Sequence, residues 1–187
     1  MAKGGAKRTT KVCLLKEGKH VRFLEKNGWE YFERTNCSGV VVVLALTDQK
    51  KVLFIEQHRI PVARRVVEFP AGLINDKKTR KKESACQAAK RELLEETGYQ
   101  AQKVIQVVKG SAGGGITTDI LTFCMALGIK KVAEGGGDET EDILVHEVPI
   151  AKAEKWLARK RKEGCLTDPK IYAGLYFLNK YNEHSIR

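Results

Sequence analysis

No uninterrupted apolar run in this 187-residue chain reaches the roughly 18–20 residues that a membrane-spanning helix needs. The most apolar segment, Val40 to Leu46, has the length of a buried strand. The N-terminus carries no apolar stretch of the kind that drives export, so a cytoplasmic location is expected and a membrane partner is not. Cysteine is sparse and unpatterned. Cys13, Cys37, Cys86, Cys124 and Cys165 are odd in number and lack Cys-x-x-Cys spacing, which argues against a disulfide framework and a zinc site. Proline is absent between Pro70 and Pro149. A P-loop is missing too: Gly113-Gly114-Gly115 has no Lys-Ser/Thr after it, and it reads as a flexible loop beside a site. Acidic residues are in deficit, leaving a formal charge of +11. The basic residues fall in the first ten positions, in Lys77–Lys82 and in Lys152–Lys162, not in one stripe interleaved with aromatics. Nucleic acid is therefore not the expected partner, and the charge serves equally to steer small polyanions.

The length suits one domain with a substantial core. Residues 1–10 read as a basic, mobile tail. Asn27-Gly28 between Val21–Lys26 and Trp29–Arg34 is a strong hairpin signal. Further strands are predicted at Val40–Leu46, Lys51–Gln57, Arg65–Phe69, Lys103–Val108, Leu121–Leu127 and Ile143–Val148. Helices are predicted at Ala85–Thr97, at Ala151–Glu163 and from about Pro169 onward. Strands interrupted by helices imply an α/β (α+β) sandwich around a mixed sheet, with an N-terminal antiparallel hairpin.

The helix Ala85–Thr97 has legible ends. Ser84 and Gln87 have the spacing of a capping box, and Gly98 stands where a left-handed C′ residue belongs. Its last turn holds Glu92, Glu95 and Glu96, at the end where the helix dipole disfavours anions. Dipole and like-charge pairs together cost roughly 1–2 kcal/mol. A hard divalent cation turns that cost into an attraction, so the cluster reads as a metal site that handles phosphates.

The run Glu83, seven residues, then Arg91-Glu92-Leu93-Leu94-Glu95-Glu96-Thr97-Gly98-Tyr99 resembles the Nudix hydrolase box, G-x5-E-x7-R-E-U-x-E-E-x-G-U with U apolar. Gly72 is the best match to the box glycine, though ten residues instead of five separate it from Glu83. Val66-Val67-Glu68-Phe69-Pro70-Ala71-Gly72 and Glu56-Gln57-His58-Arg59-Ile60-Pro61 are similar to segments of the ADP-ribose and nucleoside-diphosphate-sugar pyrophosphatases of that family. The likeness runs from about Trp29 to the end.

This resemblance implies a Nudix-type α/β/α sandwich over residues 39–187, preceded by a hairpin region, 11–38, that serves in dimerisation. It implies Mg²⁺, or Mn²⁺, held by Glu92 and Glu96 with Glu95 assisting and the carbonyl of Ala71 completing the shell. Gly72, Glu83, Arg91 and Gly98 would hold the loop–helix geometry. Glu141, with Glu139 as the alternative, would be the general base, and Arg59 would bind phosphate. Trp29, with Glu30 and Arg34, would reach a neighbouring subunit's site in a homodimer with exchanged N-terminal strands; core packing is the competing reading for Trp29. The expected activity is hydrolysis of a nucleotide sugar such as ADP-ribose to a nucleoside monophosphate and a sugar phosphate. Attack on a nucleoside triphosphate or an RNA 5′ end is the alternative enzyme reading, and a non-catalytic nucleotide sensor is the alternative of another class.

Overall fold

The computed structural model describes residues 11–76, 82–137 and 142–184. The basic tail, most of the lysine-rich stretch before Glu83, and the candidate bases Glu139 and Glu141 lie outside the described residues.

Asn27 and Gly28 both have positive φ, 55° and 80°, the turn geometry that matches the twist of the strands it joins. It pairs β2 (Val21–Lys26) with β3 (Trp29–Arg34), so that Lys26 faces Trp29 and Val21 faces Arg34. A strand absent from the sequence prediction, β1 (Cys13–Glu17), adds to β2 and makes an antiparallel sheet in the order β1-β2-β3. Every residue of β1 is exposed, so it carries no alternation by which to recognise it.

The core is organised around β4 (Gly39–Ala45). Val41, Val43 and Ala45 face one way, into a cluster with Ala88, Ala89 and Leu93 of α1 (Ala85–Thr97). Val42 and Leu44 face the other way, toward Leu157 of α2 (Ala153–Lys162) and Ile171 and Leu178 of α3 (Lys170–His184). A strand covered on both faces needs apolar residues at every position, which explains its unbroken run. Gly174 lets α3 come close: a Cβ there would lie 2.1 Å from the Phe69 ring.

Two four-stranded mixed sheets fill the middle layer, where the sequence suggested one. The first runs β7 (Ala71–Ile74), β4, β9 (Ile120–Lys131), β8 (Tyr99–Ser111), with β4 and β9 parallel. The second runs β10 (Ile143–Pro149), β5 (Lys51–Arg59), β6 (Arg64–Glu68), β11 (Leu166–Thr167), with β6 and β11 parallel. The chain passes from one sheet to the other at Phe69-Pro70, where proline has no N–H to continue a ladder. Helices on both sides complete the α/β/α sandwich. Several boundaries differ from the predicted ones: β8 starts directly after Gly98, β9 runs on to Lys131, and a 3-10 turn at Ile150–Lys152 precedes α2. All five cysteines are free thiols, and among the described residues no helix is long and apolar enough to cross a membrane.

Candidate active site

Both ends of α1 are closed by specific hydrogen bonds. At the start, the Gln87 N–H donates to Ser84 Oγ at 3.3 Å and the Ser84 N–H donates to Gln87 Oε1 at 2.9 Å. At the other end Gly98 takes φ 73°, and a Cβ on it would meet the Ala133 carbonyl oxygen at 2.0 Å. The N–H groups of Gly136 and Gly137 then donate to the carbonyls of Glu96 and Glu95 at 2.9 and 3.1 Å. The glycine run thus satisfies acceptors that a helix end otherwise leaves open.

Two of the three glutamates point inward. Glu92 and Glu96 lie on the packed face of α1 at 8 % and 2 % exposure, a burial that carboxylates accept only with partners. Glu96 Oε2 accepts the Ala71 N–H at 2.9 Å. The carboxyl of Glu92 rests on the backbone of Gly72, where a Cβ would fall 1.9 Å from it. That close approach is the reason for a glycine at this position. Burial pushes the Glu92 pKa up, with the adjacent Arg91 charge pulling against it.

Arg91 ties the strand, the loop and the helix together. Its Nε and Nη2 donate to the two oxygens of Glu83 at 3.0 and 3.1 Å, and Nη2 also reaches the Leu73 carbonyl at 2.9 Å. Nη1 donates to Glu92 at 2.7 Å and to Glu95 at 3.1 Å. Burial alone would make Arg91 easier to deprotonate, but the hydrogen bonds it donates to Glu83 and the charge of Glu92 reverse that and raise its pKa. Exposed Glu95 is thereby drawn to Arg91. Among the described residues no three His, Cys, Asp or Glu side chains are grouped to hold an ion. The donors that converge suit a hard divalent cation: two buried carboxylates on one stretch of strand backbone, one of them seated where a side chain at Gly72 would otherwise stand.

Arg59 closes β5 and donates its Nε to Glu68 Oε2 at 2.7 Å. Gln57 Nε2 donates to the same oxygen at 3.3 Å. Glu68 is buried, and desolvation raises its pKa even with the Arg59 charge beside it. On the opposite face of β5, buried Glu56 meets Arg65 Nε at 2.7 Å, Lys160 Nζ at 2.7 Å and His146 Nε2 at 2.9 Å. Burial would push the Glu56 carboxyl up, but hydrogen bonds from Lys160, His146 and Arg65 outweigh it and hold the pKa at about 2. Arg65 also donates to Asp142 at 2.6 Å. Neither acid was singled out from the sequence. The available signal was a glutamate inside, or at the end of, an otherwise buried strand.

Trp29 is 64 % exposed, which overturns the core-packing alternative. With Tyr31 and residues 114–118 it lines a cavity of about 240 Å³. The glycine-rich loop that the sequence marked docks against β3 within the same chain: the Phe32 N–H donates to the Ile116 carbonyl at 2.8 Å and the Thr118 N–H to the Phe32 carbonyl at 3.1 Å. Glu30 is exposed opposite Glu25. Arg34 Nε donates to Asp119 at 3.1 Å, fastening β3 to the start of β9.

An α/β/α sandwich in which a helix lays buried glutamates on an Ala-Gly strand defines a class of domain built around Nudix architecture. Residues 36–166 match the NUDIX domain, and the chain belongs to the Nudix family. It is 36 % identical over 118 residues to the ADP-ribose pyrophosphatase of Bacillus subtilis (strain 168), covering 63 % of this chain and 61 % of that one. It is 32 % identical over 124 residues to the methanol dehydrogenase activator of Bacillus methanolicus, covering 66 % and 64 %. The chain therefore spans a little under two thirds of the length of these two relatives. A GDP-mannose pyrophosphatase of Cronobacter sakazakii is 30 % identical over 151 residues, covering 75 % and 72 %. A crystal structure of an ADP compounds hydrolase shares the fold, with a TM-score of 0.70 over 98 % of both chains at 20 % identity.

Proposed function

We propose that this chain is a divalent-metal-dependent pyrophosphatase that hydrolyses a nucleoside diphosphate sugar such as ADP-ribose, releasing a nucleoside monophosphate and a sugar phosphate. The observation that carries this reading is the seating of Glu92 and Glu96 on the Ala71–Gly72 backbone. Relatives named as ADP-ribose and GDP-mannose pyrophosphatases support the substrate class.

Glu92 and Glu96, with the Ala71 carbonyl and with Glu95 assisting, would hold Mg²⁺ or Mn²⁺. Such an ion supplies charge neutralisation at the diphosphate and acidifies water. Arg59 binds a phosphate group through the terminal nitrogens of its planar fork. Glu141, or Glu139, takes the proton of the attacking water, a role that contributes typically about 10²–10⁴-fold. Two anchored residues flank that segment, Gly137 on the Glu95 carbonyl and Asp142 on Arg65. Trp29, on an exposed strand, is suited to stacking a base, which is worth about 1–3 kcal/mol. Exposed Leu14, Leu15, Trp29 and Phe32 on the N-terminal sheet support a homodimer in which this sheet, with Glu30 and Arg34, serves the neighbouring site. A cytoplasmic setting accords with five free thiols.

The test is turnover with Mg²⁺ on a panel of nucleotide sugars, dinucleotides and triphosphates, scored by product identity. ADP-ribose is expected to give AMP and ribose phosphate, and chelation is expected to abolish turnover. Release of pyrophosphate from a triphosphate without cleavage of ADP-ribose would transfer the assignment to the triphosphate or RNA 5′-end reading. Tight binding of ADP-ribose without turnover at any Mg²⁺ concentration would support the sensor. Glu96→Gln, which keeps an acceptor for the Ala71 N–H but loses the charge, should lower kcat by about 10²-fold or more.

A further inference from the structure

Glu56 and Glu68 are both buried carboxylates on adjoining strands, yet they are satisfied in different ways. Glu56 is enclosed by Arg65, His146 and Lys160, with groups from three elements spent on it. Among the described residues Glu68 makes one close ion pair, with Arg59, whose side chain is 43 % exposed while that of Glu68 is 9 % exposed; the charge of Lys170 acts on it more weakly. A half-exposed ion pair contributes little to stability, and burying a carboxylate is costly, so this arrangement is a poor device for holding β5 to β6.

Its geometry suits another purpose. Arg59 uses Nε alone on Glu68, and among the described residues Nη1 and Nη2 have no hydrogen-bond partner. The edge bearing these two nitrogens is the one that matches a pair of phosphate oxygens. Gln57 Nε2, buried two positions earlier on the same face of β5, braces the same carboxylate oxygen, which fixes where the guanidinium sits. An arginine held in advance in this way loses less rotamer freedom when the anion arrives.

We propose that Glu68 is a positioning residue: its carboxylate, steadied by Gln57, holds Arg59 through Nε so that the two terminal nitrogens face a bound diphosphate. The inference rests on the reading of Arg59 as the phosphate ligand given above. Glu68 itself touches no substrate.

A double-mutant cycle tests it, with ADP-ribose as probe. KM and kcat are measured with Mg²⁺, the dissociation constant is measured by calorimetry without metal, and thermal melts check folding. Arg59→Ala and Glu68→Ala should each weaken binding and raise KM by about tenfold or more, with kcat within about threefold of the unaltered chain. In the Arg59→Ala background, Glu68→Ala should add nothing further. Glu68→Gln keeps an oxygen acceptor and the side-chain shape but loses the charge, so it should show a smaller loss of the same kind, again absent in the Arg59→Ala background, and it carries the cycle if Glu68→Ala does not fold. An equal effect of Glu68 substitution with and without Arg59, or an unaltered KM in Glu68→Ala and Glu68→Gln while Arg59→Ala is impaired, would overturn the positioning role and leave Arg59 as phosphate ligand. An unaltered KM and dissociation constant in Arg59→Ala would overturn the Arg59 reading itself, and the inference with it.

Discussion

Gly72 owes its identity to what sits on it. The Glu92 carboxyl occupies the place of a Cβ, 1.9 Å away, so Gly72→Ala must push that carboxylate or the β7 backbone aside. The backbone there needs no left-handed conformation, and the strand should still form. The expected outcome is near-native circular dichroism with kcat/KM lowered by about 10²-fold, the scale of an ångström-sized misplacement at a reacting centre. Arg91 shows the complementary logic, since its five donors are matched to carboxylates and a carbonyl in a geometry that lysine cannot copy. The identities of Glu92, Glu96 and Arg91 were legible because their spacing is local to one helix. Their partners were not. Ala71 and Gly72 stand twenty or more positions upstream, and only the resemblance placed them beside the helix.

At the scale of elements, α1 was read from the sequence to the residue, because a capping box and a left-handed glycine are written in adjacent positions. Ser84→Ala removes the side chain that accepts the Gln87 N–H, and it should cost about 1 kcal/mol, seen as a lower urea midpoint with unchanged slope. The strand β4 was equally plain, as an unbroken apolar run. By contrast β1 escaped notice, since its formation depends on the edge of β2 and not on its own pattern. β7 escaped as well, being four residues long and starting just past a proline. What the Gly135–Gly137 run does could not be read locally either. It is a loop, but two of its N–H groups complete a helix some forty positions earlier.

For the whole molecule, the Glu56 network joins β5, β6, β10 and α2, and it should govern acid stability. The Glu56 carboxyl ordinarily titrates at 4.5 and is held at about 2 in the folded chain. Folding therefore gains from this group at and above the ordinary value, and the gain disappears as pH falls from there through about 2. Urea unfolding between neutral pH and pH 2 should show a loss of stability across that window, and Glu56→Gln should flatten it. Glu56→Ala, which strands Arg65, Lys160 and His146 around an empty space, should destabilise the fold at neutral pH by on the order of 3 kcal/mol. The sequence could not disclose this network, because His146 lies 90 positions from Glu56. The same distance effect hid the Arg34–Asp119 pair, 85 positions apart, which binds the N-terminal sheet to the sandwich. The surplus of positive charge gave no guidance to either.

Asn75 and Glu83 exchange hydrogen bonds, the Glu83 N–H donating to the Asn75 side chain and the Asn75 N–H donating to a Glu83 carboxylate oxygen, while Arg91 grips Glu83 from below. The ends of the lysine-rich stretch are thereby stapled to each other independently of how many residues intervene. Segment length becomes a neutral variable there, and it is the place on the chain where a reporter peptide or affinity tag could be spliced in without disturbing the helix register that the chemistry depends on.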